Sequence, residues 1–95
     1  MKFLSGVTEF EWDKGNSGKN LKHKVKDTEC EEVFFDRGKR ILKDPIHSQN
    51  EKRHIILGKT KKNRLLYLVI TMRGKKIRVI SARDINKKEV SLYKK

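Results

Sequence analysis

Proline and cysteine each occur once in these 95 residues, and glycine only six times. A lone Cys30 excludes an intrachain disulfide and a cysteine-based zinc site. A lone Pro45 leaves one principal irregular loop, the segment PIHSQN. Long apolar runs are missing as well. No segment approaches the roughly 20 apolar residues needed to cross a bilayer, and the start, MKFLSG, lacks the apolar core of a secretory signal. A single soluble domain over residues 1–95, cytoplasmic and without a membrane partner, is the expectation. Catalytic signatures are scarce too. Gly15-x-x-Gly18-Lys19 has the wrong spacing for a phosphate loop, and nothing resembles a nucleophile elbow. His23, His47 and His54 are scattered, none with a partner at the spacing of a helical metal pair, so no metal or cofactor is expected.

Charge is what the chain has in quantity. The formal net charge is +13, unevenly placed. Residues 1–36 hold six Lys/Arg against eight Asp/Glu, whereas residues 37–95 hold nineteen against four. A basic surface built by the C-terminal part points to a polyanion or a strongly acidic partner. A merely solvated lysine-rich surface is the plainer alternative.

The most ordered stretch is Arg64 to Arg83. The run Leu65 to Met72 is rich in strand-forming residues, Arg73-Gly74-Lys75-Lys76 interrupts it, and Ile77 to Ala82 follows. A β-hairpin is predicted, with Gly74 supplying the turn. Around it, Val7 to Glu11 alternates like a strand, and Ile41-Leu42 and the segment 52–59 also have strand character. Asn16 could cap a helix running to His23. Thr28-x-x-Glu31 fits a capping box for a second helix, with Asp27 as the competing cap and Cys30, Val33 and Phe34 on its apolar face. Asn86 and Glu89 form another box that opens a terminal helix. The expected fold is α+β: one antiparallel sheet packed by two N-terminal helices and a short C-terminal helix.

Arg53, Arg64, Arg73, Arg78 and Arg83 all fall within or beside the predicted strands. An arginine grips a phosphate through two parallel hydrogen bonds and stays charged at any working pH. Several on one face could hold a phosphodiester and stabilise a phosphorane-like transition state. With RNA as substrate the adjacent 2′-hydroxyl can attack, so no metal is required. His23, His47, Glu51, His54 and Tyr93 are the available proton carriers. Equally, arginines in strands often just pair with carboxylates across the sheet.

Several segments together resemble one family. FEWD (Phe10 to Asp13), EEVFFD (Glu31 to Asp36), HSQNEKR (His47 to Arg53), LGKT (Leu57 to Thr60) and IRVISARD (Ile77 to Asp84), then Lys87 to Glu89 and Tyr93, are similar to the BrnT toxins of bacteria. The resemblance implies a RelE-like fold and an endoribonuclease that blocks translation. It also implies a BrnA-type ribbon-helix-helix antitoxin, a possible 2:2 heterotetramer with it, and operator DNA bound only through that complex. Carried onto this chain, it marks Arg53, Arg73, Arg78 and Arg83 as phosphate contacts, His47 or Glu51 as general base, and Tyr93 as support. Trp12 and Asp13 are read as a packing anchor and a turn or cap. One element departs: where the family carries Lys-His-Gly-Val, this chain has Lys22-His23-Lys24-Val25. The alternative function is a basic module that docks an acidic or amphipathic partner without cutting RNA.

Overall fold

The predicted hairpin is the middle of the molecule. In the computed structural model, which describes residues 9–44 and 52–95, its strands are β4 (Leu65–Arg73) and β5 (Lys76–Asp84). Gly74 sits at φ 61°, the left-handed conformation that a two-residue hairpin loop asks of its first residue. Around the hairpin the chain lays β3 (Arg53–Lys59) against β4 and β2 (Arg40–Lys43) against β3, both antiparallel. On the far side, β1 (Glu9–Phe10) pairs with β5. The sheet order is β1-β5-β4-β3-β2. Leu66, Leu68, Ile70, Ile77, Val79, Ala82 and Ile56 turn to one face and are sealed there by Val25, Cys30 and Val33. Cys30 is a core residue, and burial pushes its thiol up to about 12.

Three expectations need correction. The sheet is mixed, because β1 runs parallel to β5. Alternation within a segment reveals a strand but not the direction of its partner. The two N-terminal helices are one α-helix, α1 (Asp27–Phe34), preceded by a short 3-10 helix (Lys19–His23). Asn16 does not cap that turn, for its amide is used elsewhere. It donates to the carbonyls of Glu11 (2.9 Å) and Val79 (3.1 Å), while its oxygen accepts from the Asp13 N–H. Finally, the capping box of α1 lies two positions before the expected one. Lys26 is its N-cap, and the Glu29 carboxylate accepts the Lys26 N–H at 3.0 Å. Asp27 instead receives Ser17 and the Gly18 N–H. Glu31 accepts the Trp12 indole N–H at 2.7 Å, which fixes the tryptophan against the core.

The C-terminal helix α2 (Lys87–Lys94) forms as the sequence predicts. Asn86 Oδ1 accepts the Glu89 N–H, and Glu89 returns the bond to the Asn86 N–H, both at 2.9 Å. Among the described residues no helix is long and apolar enough to cross a membrane.

The unusual conformation lies at the end of the 3-10 helix. Lys24 occupies φ 59°, ψ 32°, a left-handed cap position that glycine takes at less cost. Its carbonyl accepts Arg64 Nη1 at 2.7 Å, and the His23 carbonyl accepts Arg64 Nη2 at 3.3 Å. Arg64 ties this turn to the sheet.

Candidate nucleic-acid interface

Strand alternation decides which arginines can act together. Arg78 and Arg83 are five residues apart, an odd spacing that places them on opposite faces of a regular strand. A β-bulge intervenes. Val69 pairs with Ser81 but Ile70 pairs with Val79, so Ile80 has no partner and the alternation is reset. Arg78 therefore lies opposite Thr71 and Arg83 opposite Tyr67, two β4 residues four apart and on one face. Arg53 also pairs with Thr71, so Arg53, Thr71 and Arg78 form a cross-strand row. Arg73 stands at the end of β4 on the same alternation. All four expected arginines share the face turned away from the core.

The guanidinium of Arg78 is held by acidic residues from the segment that follows β1. Nη1 donates to Glu11 Oε1 (3.0 Å) and Asp13 Oδ2 (2.8 Å), and Nη2 to Asp13 Oδ1 (3.0 Å). Gly15 permits this approach, since a Cβ there would stand 2.6 Å from Arg78 Nη2. Asp13 also accepts the Gly15 N–H, the turn role read from sequence. The Arg78 hydrogen bond holds the Asp13 carboxyl below the usual range, and in return Asp13 raises the pKa of Arg78. Arg73 Nη1 makes a longer contact, 3.4 Å, to Glu11.

Arg83 is held from the other end of the chain. Its Nη1 donates to Glu89 Oε1 (2.9 Å) and to the Asp84 carbonyl (3.0 Å), and its Nη2 to Glu89 Oε2 (2.8 Å). The guanidinium lies 3.9 Å from the centroid of the Tyr67 ring, within cation–π range. The Arg83 bond lowers the pKa of Glu89, which stays ionised while it also caps α2.

His47 and Glu51 lie outside the described residues. His54 pairs with Ile70, which places it on the core side of β3, opposite to Arg53. Burial, then the charges of Lys43 and Lys52, lower its pKa. Tyr93 donates to Asp36 Oδ2 at 2.7 Å, and its backbone carbonyl accepts Arg40 Nε at 3.4 Å. Burial, then the Asp36 carboxylate, push its phenol up to about 12, so at neutral pH it is a donor and not a base. An open groove of about 720 Å³ is lined by Glu31, Glu32, Phe35, Asp36 and Lys59 among others, and none of Arg53, Arg73, Arg78 and Arg83 borders it.

Reading the sequence alone missed the three carboxylates that hold these guanidinium groups, and Tyr67 beneath one of them. Period-2 alternation does put Glu9 and Glu11 on one side of the first strand. Nothing local indicates that the partner of Glu11 lies 67 residues away.

Comparison with individual curated proteins finds no match. Comparison with family profiles does: residues 12–89 match the profile described as "Ribonuclease toxin, BrnT, of type II toxin-antitoxin system". The matched range contains Trp12, Asp13 and all four arginines, and it ends on Glu89. The chain belongs to the BrnT family of type II toxin-antitoxin ribonuclease toxins, which implies an RNA substrate and an antitoxin partner.

Proposed function

We propose that this chain is a metal-independent endoribonuclease toxin that inhibits translation by cutting RNA in the cytoplasm. The substrate's own 2′-hydroxyl would attack the neighbouring phosphorus. The 5′-oxygen leaves, giving a 2′,3′-cyclic phosphate and a free 5′-hydroxyl. Arg53, Arg73, Arg78 and Arg83 contact the phosphates and the charge that builds on the transition state. His47 or Glu51 takes the 2′-hydroxyl proton, and Tyr93 braces α2. A BrnA-type ribbon-helix-helix antitoxin neutralises the toxin, in a 2:2 assembly that also binds operator DNA.

One observation carries this reading. The bulge at Ile80 brings arginines of odd spacing onto a single side of the sheet, the one turned away from the core, and bulges recur where a side chain must be re-aimed beside a site. The test is purified protein with RNA in a buffer containing EDTA. Cleavage that leaves cyclic phosphate ends is expected, with growth arrest on induced expression, and both should be relieved in a folded Arg78→Ala or Arg83→Ala variant. Intact RNA and unimpaired growth would overturn it.

A second reading has its own support. Arg78 and Arg83 are each already forked by a carboxylate, as expected of structural ion pairs in a basic docking module without ribonuclease activity. Harmless expression combined with tight binding of an acidic partner would favour that module.

A further inference from the structure

A guanidinium has five N–H donors, and the donors already engaged differ among the arginines of this sheet. Arg64 is saturated. Its Nε and Nη2 grip Asp84 at 2.7 and 3.1 Å, and its Nη1 and Nη2 reach the Lys24 carbonyl, Glu29 and the His23 carbonyl. Arg78 and Arg83 follow another pattern, the same in both. Each spends both Nη1 hydrogens and one Nη2 hydrogen, with a single carboxylate across the Nη1–Nη2 fork. Among the described residues the Nε hydrogen and the second Nη2 hydrogen have no partner. These two are parallel and share one edge, the edge that Asp84 occupies on Arg64. Neither Nε is among the sealed nitrogens of the described residues.

We propose that Asp13 with Glu11, and Glu89, are positioning residues: they occupy the outer fork of Arg78 and Arg83 and so present the Nε–Nη2 edge of each to an RNA phosphate. The inference rests on the reading that this face takes RNA. An arginine held in this way loses less side-chain freedom on binding than a loose one. Its position is set before the substrate arrives, as electrostatic stabilisation of a transition state requires. The two edges serve different phosphates. Their backbone positions are separated by the four residues from Tyr67 to Thr71, about 13 Å of strand. The holding carboxylates also pull them apart, one pair near β1 and the other on α2.

The carboxylates oppose RNA binding by charge while favouring its cleavage by geometry, and this separates the two effects. For Asp13→Asn and Glu89→Gln, kcat on a short RNA should fall about 10- to 100-fold, with affinity for a 2′-deoxy decanucleotide unchanged or tighter. In ¹⁵N spectra of the wild type, the Nε–H signals of Arg78 and Arg83 should move on titration with that decanucleotide, while the Arg64 signal stays. Asn86→Ala removes the helix cap but leaves the Glu89 fork, and should keep the wild-type kcat. Unmoved Arg78 and Arg83 signals overturn the proposal. So does an unchanged kcat in Asp13→Asn and Glu89→Gln, which would make the carboxylates simple neutralisers. An Asn86→Ala loss as large as that of Glu89→Gln also overturns it, because the effect would then come from the helix. Moving signals in a protein that cuts no RNA would sink the ribonuclease reading and leave the phosphate-binding edges standing. Cleavage without those shifts would do the reverse.

Discussion

Tyr93 and Asp36 form a pair whose contribution can be followed with pH. Burial works against the Asp36 charge, but the Tyr93 hydroxyl and the Lys59 and Gly38 N–H groups outweigh it, and the folded pKa lies below the ordinary value. Its stabilisation is therefore present above the unfolded carboxylate pKa and lost as pH falls through the folded one. Tyr93 is the mirror case. Its pKa, raised from 10.0 to about 12, gives a contribution that is complete below 10.0 and lost between those values. Tyr93→Phe should cost about 1 kcal/mol at neutral pH, for one hydrogen bond to a partly exposed carboxylate. That is about 4–8 °C in Tm for a domain of this size. Thermal melts at several pH values should show the difference from wild type shrinking in acid. A constant difference would mean that the ring's packing matters and the hydroxyl does not.

At the scale of elements, the sequence was legible wherever a segment's structure depends on its own residues. The hairpin needed only two apolar runs and Gly74. The terminal helix needed Asn86 and Glu89, three residues apart. The first half was less legible because its polar residues serve distant partners. Asn16 and Asn20 cover the outer edge of β5 beyond the two residues that β1 pairs. Asn16 holds the Val79 carbonyl, and Asn20 Oδ1 accepts the Ala82 N–H at 2.9 Å. An edge so covered cannot recruit a further strand. Asn16→Ala should thus cost about 2–3 kcal/mol, from buried backbone groups left without partners, read as a lower denaturant midpoint. Lys24 gives the opposite sign. A non-glycine residue at φ 59° is strained, and Lys24→Gly should raise stability by up to about 1 kcal/mol. A drop on that substitution would show that the lysine side chain contributes more than its backbone costs. The site was legible only in composition. That five strand-associated arginines existed could be read; that a bulge at Ile80 aligns two of them could not, because a bulge is a property of two paired strands.

The whole molecule carries +13, and its affinity for a polyanion should depend steeply on salt. Each phosphate neutralised on a single strand contributes about −0.7 to the slope of log affinity against log salt. Four arginine contacts then predict a slope near −3, roughly a fifty-fold loss between about 50 and about 200 mM salt. Fluorescence anisotropy with a labelled oligonucleotide measures it, and Arg73→Gln should flatten the slope by about 0.7. A shallow slope in the wild type would remove the electrostatic basis for an RNA face.

The pairing of the first strand with the fifth has a consequence for how this protein is made. Glu11 meets Arg78 across 67 residues, and a ribosome adding about 5–20 residues per second takes roughly 3–13 seconds to cover that distance. Arg83 must wait still longer, until Glu89 has emerged. Until residue 78 has been added, neither guanidinium is held in place. The arginine face is therefore incomplete until α2 has been made.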